Sequence, residues 1–326
     1  MLRAAAARRR GEGRSVLDLL YININIDPNI GTFGPFQITW HGVFTAVGIA
    51  VAVLVAAYYG KKHRILEDDI YNVALWSVPG GIVGARLLYV IEHFGTFRND
   101  WGSIFSINEG GISIYGGVIG GVIVGFVYAW RAGLPKRRIA DVAALGLLLG
   151  QATGRIGDFI NGEHWAKATS LPWGFCYTNP NTLNGDPHTN TTALCGSVTQ
   201  SPLNPPAVHP VAGVYEPLLL LISFGICLYL FNRLRTAGYI IWVYALCYAA
   251  IRFFLSYLRI NETKVFNGAL TMPQLIALLS IPVIIIGVYL TRRAAQRNPE
   301  AALAIPPAPP SEAIVAPRPR NRSAVT

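Results

Sequence analysis

The sequence predicts an all-α polytopic membrane protein with about seven transmembrane helices and a periplasmic or otherwise extracytoplasmic loop region between the fourth and fifth. Three observations carry this. Runs of about twenty apolar residues recur along the 326-residue chain. Only 13% of the residues are charged, about half the share of an ordinary soluble domain. The basic residues gather in short loops between apolar runs and in the two tails, the footprint of membrane topology and anionic headgroups. The same placement argues against nucleic acid as the reason for a net charge of +10, since no basic stripe with interleaved aromatics occurs.

An N-terminal tail, residues 1–26, begins MLRAAAARRRGEGR. It has the positive start of a signal peptide, but no sustained apolar stretch or cleavage site follows. The seven-span domain covers 27–291, with spans expected at 36–59, 70–94, 112–130, 139–160, 211–232, 238–257 and 270–291. The second and third spans carry small-xxx-small faces, Gly80 with Gly84 and Gly116 with Gly120, beside Gly117, Gly121 and Gly125; such faces let helices approach closely. The fourth runs straight into a polar stretch, GRIGDFINGEHW, at 154–165. The outer loop, 161–210, is rich in Asn, Thr, Pro and Gly. Residues 292–326, with AIPPAPPSEAIVAPRPR, read as a disordered cytoplasmic tail.

With seven spans, KKHR (61–64), RAGLPKRR (131–138), RLR (233–235) and TRRAAQR (291–297) fall on one side. The other side holds Arg98, Lys167, Arg259 and Lys264. The positive-inside rule makes the first set cytoplasmic, with the C-terminus inside and the N-terminus outside. Arg3, Arg8, Arg9, Arg10 and Arg14 in the N-terminal tail go against the rule. Cys176 and Cys195 lie in the outer loop, where a disulfide closing about 20 residues would be worth ~3 kcal/mol; two free thiols are the alternative. Cys227 and Cys247 sit in spans as small packing residues.

Three arginines remain: Arg86, Arg155 and Arg252, inside or at the edge of spans. A charge at a helix centre costs about 2.5–3.5 kcal/mol on insertion scales. One explanation is structural, with each Arg paired to a carboxylate; Asp141, Asp158, Glu163 and Glu216 are available. The functional explanation is a phospholipid pocket, with guanidinium forks on the phosphate and acyl chains along the helices. Each Arg has polar company on its own stripe: Tyr248, Arg252 and Ser256; Arg86, Tyr89 and His93; Arg155 and Asp158. VHPVAGVYEP (208–217) places His209 and Glu216 at the outer entrance of the fifth span, and GGISIYGGVIGG (110–121) places Tyr115 at that of the third. Glu163, Glu216 or His209 would serve as a base. His63, His93, His164 and His188 are scattered and no Cys/His cluster has ligand spacing, so neither metal nor cofactor is expected.

GRIGDFINGEHW resembles the signature Gly-Arg-x-Gly-Asn-Phe-x-Asn-x-Glu-x-x-Gly of the bacterial prolipoprotein diacylglyceryl transferases, through Gly154, Arg155, Gly157, Phe159, Asn161 and Glu163. DPNIGTFGPFQITWHG, GGISIYGGVIGG, HPVAGVYE and YAAIRFFLSYLR are similar to further motifs of that family, in the same order, so the resemblance covers roughly 27–291. It implies seven spans in the bacterial cytoplasmic (inner) membrane. It also implies transfer of the diacylglyceryl group of phosphatidylglycerol to the lipobox cysteine of a prolipoprotein, with glycerol phosphate leaving. Arg155 and Arg252 then match essential arginines, Glu163 and Glu216 acidic site residues, and His209 the His-Pro histidine. Catalytic residues are expected to be Arg155, Arg252, Glu163, His209 and Tyr115. Substrate contacts are expected from Arg86, Asp158, Asn161, Glu216, Tyr248 and His41. Five letters depart from the pattern: Asp158 for Asn, Ala166 for Gly, Ser256 for Glu, His41 for Tyr, and Tyr115 for His. Tyr115 is a poor base at neutral pH, with a phenol pKa near 10, and Asp158 would compete with phosphate for Arg155. A lipid transporter or flippase, and a family member that binds lipid without catalysis, are the rival readings; a transfer assay separates them.

Overall fold

A computed structural model of the chain describes residues 22–34, 36–98, 101–105, 111–162, 166–169, 171–177, 179, 181–182, 207–260 and 262–305. Seven helices are long and apolar enough to cross a membrane. They are α1 (Trp40–Lys62), α2 (Glu67–Glu92), α3 (Ile114–Arg131), α4 (Lys136–Asn161), α5 (Glu216–Arg233), α6 (Ile240–Leu255) and α7 (Met272–Arg297). A single π turn, Val211–Tyr215, leads into α5, and a 3₁₀ turn, Ser256–Leu258, extends α6. All seven expected spans are present, with ends shifted by a few residues.

Local chemistry sets those ends. The Thr39 hydroxyl caps α1 by accepting from the Gly42 amide at 3.2 Å. Glu67, Asp68 and Asp69 occupy the first turn of α2, where the helix dipole favours negative charge. A capping box of Thr271 and Gln274, with a proline in the first turn, opens α7. Gly162, at φ +71°, stops α4 in the left-handed conformation that glycine takes at least cost.

The helix α4 is the axis of the bundle. Val142, Ala144, Leu145 and Leu148 are fully buried, and they join Leu220, Cys227 and Phe231 of α5 and Ile251 and Leu255 of α6 in one core. Its contact with α1 is backbone to backbone: a Cβ on Gly146 would lie 2.2 Å from the Ala52 carbonyl, and one on Gly150 2.6 Å from that of Gly48. The expected small-residue faces of α2 and α3 meet in the same way, since a Cβ on Gly84 would stand 2.5 Å from the Gly116 carbonyl. Leu54, Val83, Ile222 and Ile285 point outward and exposed, as lipid-facing residues do.

Small sheets, not foreseen in an all-α reading, decorate one end of the bundle. Strands β1 (Ile22–Ile24), β4 (Ala168–Thr169), β5 (Phe175–Tyr177) and β6 (Ala207–Val208) form a sheet in the order β1-β5-β6-β4, with β1 parallel to β5. Hairpin β2–β3 (Asn29–Phe33, Phe36–Thr39) precedes α1, and β7–β8 (Lys264–Val265, Leu270–Thr271) precedes α7. The β1–β5 pairing puts the segment before α1 on the same side as the loop after α4. Across the bundle, the Ala237 amide donates to the Ala302 carbonyl and the Ala304 amide to that of Arg235, both at 2.8 Å. That puts the segment after α7 beside the α5–α6 loop. Both pairings have the parity that seven spans require.

The C-terminal reading needs correction. Residues 292–297 finish α7, and 298–305 dock onto 235–237 with Ala302 and Ala304 buried; residues 306–326 lie outside the described residues. Cys176 is disulfide-bonded, which removes the free-thiol alternative for it, and Cys227 and Cys247 are free; Cys195, the partner weighed for Cys176, lies outside the described residues.

Candidate active site

At the end of the bundle that carries β1–β6, one chain of charges links six segments. His41, the second residue of α1, approaches Asp158 at 2.8 Å through Nδ1. Asp158 pairs with Arg155, one turn earlier on α4. The second Arg155 nitrogen, Nη2, donates to Glu216 Oε1 at 2.5 Å, and Glu216 Oε2 accepts from Arg259 Nη2 at 2.6 Å. Arg259 Nε is 3.9 Å from Glu262, and Glu262 Oε1 is 3.0 Å from Arg252 Nη2. The Thr271 hydroxyl fixes the other Glu262 oxygen at 3.0 Å. Three guanidiniums (155, 252, 259) face three carboxylates (158, 216, 262), so their formal charges sum to zero.

Burial makes this chain expensive to break. Glu216 is fully buried, Asp158 and Arg259 are each 5% exposed, and removing one member of a buried pair strands its partner in low dielectric. Arg155 and Arg252 are the more open members, with side chains 17% and 22% exposed. Arg259 Nε and Glu262 Oε1 lack a hydrogen bond but face each other in the ion pair just given; among the described residues Arg252 Nη1 is also buried with no hydrogen-bond partner. Buried donors are nearly always satisfied, and this one belongs to the residue type that best matches a phosphate oxygen.

The helices aim these groups by simple means. Arg252 lies in the last turn of α6 and Glu216 in the first turn of α5, each at the favourable pole of its helix. The π turn before Glu216 packs its Gly213 on Phe159 and Phe175, with no room for a Cβ. Gly157 does the same for α1: a Cβ there would lie 2.8 Å from His41 Cα and 3.2 Å from the Trp40 carbonyl. The motif glycine is therefore what allows His41 to reach Asp158. Gly154, in contrast, has nothing within 4 Å of its missing Cβ. The Tyr177 hydroxyl donates to the Phe159 carbonyl at 2.9 Å and ties the sheet to the end of α4; burial holds that phenol above its ordinary pKa.

The expected residues sort as follows. His41, Arg155, Asp158, Glu216 and Arg252 are brought together. Tyr115 is partly exposed at the start of α3, within electrostatic reach of Arg252, Tyr248 and Glu262. Tyr248 lies within reach of Arg155 as well and stacks on Tyr244. Asn161 is buried in the last turn of α4. His209 has no hydrogen bond or ion pair to the arginines among the described residues; its Nδ1 is unpartnered, and burial and Lys167 hold its pKa below the ordinary value. Glu163 lies outside the described residues. Arg86 was expected on the phosphate, but the structure engages it otherwise. Its three nitrogens donate to the carbonyls of Ser103, Ile104 and Gly111 at 2.6–2.8 Å, and its plane lies over Tyr89 and Phe97. It fastens the segment between α2 and α3.

Arg259 and Glu262 are the additions. Arg259 counts as an outer-loop cation by its place past the apolar run, yet it is the last letter of YAAIRFFLSYLR. Burial pulls its guanidinium down to about 10, against the pull of Glu216, and leaves it charged at neutral pH. Ser256 turns its hydroxyl onto the Arg252 carbonyl at 2.8 Å, and Glu262 supplies the carboxylate that faces the Arg252 guanidinium. Ala166 bridges to Arg259, and a methyl group fits there. Among the described residues, no group of three His, Cys, Asp or Glu is placed to hold a metal ion.

A family model described as prolipoprotein diacylglyceryl transferase matches residues 28–292. Relatives named phosphatidylglycerol–prolipoprotein diacylglyceryl transferase include one from Lactobacillus johnsonii, 32% identical over 82% of this chain and 92% of that protein. Another, from Clostridioides difficile, is 32% identical over 79% and 92%. A third, from Gloeobacter violaceus, is 30% identical over 83% and 95%.

Proposed function

Since the chain belongs to the prolipoprotein diacylglyceryl transferase family, we propose that it moves the diacylglyceryl group of phosphatidylglycerol onto the lipobox cysteine thiol of a prolipoprotein signal peptide. This is the first step of lipoprotein maturation. The multi-pass chain sits in the bacterial cytoplasmic membrane, N-terminus outside, with the Arg155 site at the outer face and the basic loops in the cytoplasm. The observation that carries the reading is Arg252 Nη1, without a hydrogen-bond partner among the described residues, in the same charge chain as Arg155, to which it is joined through Glu262, Arg259 and Glu216.

The phosphate of the lipid accepts from Arg252 Nη1 and from the exposed edge of Arg155, while acyl chains run along the helices. The thiol sulfur attacks the glycerol carbon that bears the phosphate. A C–S bond forms, the C–O bond breaks, and glycerol phosphate leaves with the electron pair. The two guanidiniums stabilise the charge gathering on that leaving group. Asp158 has both oxygens engaged, by His41 and Arg155, which leaves it poorly placed as a base. His209, held neutral with a free Nδ1, and Glu163 are the acceptors for the thiol proton. Tyr115 donates a hydrogen bond to the phosphate.

The test is a transfer assay with phosphatidylglycerol and a lipobox peptide. Wild type transfers, and Arg155→Ala and Arg252→Ala do not. Retained transfer in either variant overturns the phosphate clamp; binding of lipid without transfer by wild type overturns the enzyme.

A further inference from the structure

At the opposite end of the bundle a cavity of about 560 Å³ lies between the ends of α1 and α5 and the docked C-terminal segment. It is remote from the site above. From His41 to Lys62 along α1 is about 32 Å at 1.5 Å per residue, and from Glu216 to Arg233 along α5 about 26 Å.

Its lining is cationic without compensation. Lys62, Arg233 and Arg235 contribute three positive charges, and among the described residues no Asp or Glu lines the cavity. None of the three makes an ion pair among the described residues. Lys62 Nζ lies 4.7 Å from the Tyr58 ring centroid, and Arg233 lies 5.4 Å from that of Tyr229, the arrangement of snorkelling cations at an apolar boundary. His63, 4% exposed, stacks on Phe231 at 3.9 Å, and its Nδ1 has no hydrogen-bond partner among the described residues. Leu234 and Ile305 are exposed apolar residues of the same lining. The wall from Leu303 to Ile305 is held in place by backbone bonds to 235–237.

A surplus of unpaired cations, an apolar flank and a position at the membrane boundary together describe a receptor for a phosphate that carries acyl chains. We propose that this cavity is a second lipid site, which binds the phosphate headgroup of an anionic phospholipid from the leaflet at the basic end of the bundle. The apolar residues favour a lipid over free phosphate. The site is independent of the transfer reaction and stands or falls separately from it.

The full-length protein in neutral detergent is titrated with dioleoyl phosphatidic acid, and bound lipids are counted by native mass spectrometry. A triple variant, Lys62→Gln, Arg233→Gln and Arg235→Gln, is expected to lose one bound lipid, with at least about tenfold weaker binding at that site. A control removes the same charge from the same end through Arg131→Gln, Arg293→Gln and Arg297→Gln, and stays within about twofold of wild type. An unchanged thermal midpoint in detergent reports that each variant has folded. Equal losses in the two variants, or no loss in the first, overturn the proposal. Displacement of the lipid by inorganic phosphate at the same concentration overturns the lipid assignment in favour of a bare phosphate site.

Discussion

Asp158→Asn tests how the charge chain governs lipid binding. The side chain keeps its shape, so its carbonyl can face Arg155 while its amide donates to His41 Nδ1, if that ring carries its proton on Nε2. The loss in stability is then the difference between a charged and a neutral acceptor, ~1 kcal/mol. The effect on substrate has the opposite sign. With Asp158 neutral, three guanidiniums face two carboxylates and the site carries +1 before lipid arrives. A phosphate on the exposed edge of Arg155 would sit about 7 Å from the Asp158 carboxylate, a repulsion of ~2.4 kcal/mol at an effective dielectric of ~20. Taking about half of that, because Arg155 lies between, leaves ~1.2 kcal/mol, or roughly an eightfold fall in KM for phosphatidylglycerol. The assay is peptide lipidation at varied phosphatidylglycerol in mixed micelles, with kcat and KM resolved. A raised KM, or a kcat reduced by orders of magnitude at unchanged KM, refutes the reasoning and makes Asp158 part of the chemistry.

Glu216→Gln leaves Arg155 and Arg259 facing each other across a neutral amide, and is expected to cost about 3–5 kcal/mol, read as a lower thermal midpoint of the detergent-solubilised protein. Gly157→Ala drives a methyl into the backbone at His41 and should cost ~1–3 kcal/mol and most of the transfer activity, whereas Gly154→Ala, with open space at its Cβ, should be neutral or slightly stabilising. Burial and Arg138 push the His63 pKa down to about 4 from 6.5. Between those values the unfolded chain takes up a proton that the folded one refuses, so stability falls as pH drops from about 6.5 to about 4; thermal midpoints across that window should flatten in His63→Phe. Reduction of the Cys176 disulfide should lower the thermal midpoint by the equivalent of ~3 kcal/mol, measured with and without reductant.

The spans were legible because lipid imposes one rule on every residue of a helix, and the runs around Val142 or Ile285 obey it. The small-residue faces were legible for a related reason: Gly80, Gly84, Gly116 and Gly120 have few uses inside a span besides contact. Arg155 and Arg252 announced themselves by their cost. Arg259 did not, because a cation just beyond an apolar run looks solvated, and only the fold brings it against Glu216. Glu262 had no signal at all, since its role depends on how the chain turns after α6. Arg86 shows the converse failure. An arginine in a span predicts a strong partner, but not whether that partner is a ligand or three carbonyls of its own chain.

The pairing of Ile22–Ile24 with Phe175–Tyr177 joins stretches 153 residues apart, with four membrane crossings between them. Neither stretch can find the other until α1 to α4 have been threaded and the loop behind them has reached the far side. A nascent chain that stops short of Tyr177 therefore has nothing on which to fold residues 22–24, and nothing to tie down the carbonyl of Phe159. The enclosure around Arg155 is in that sense a late product of biogenesis, assembled only after most of the membrane work has been done.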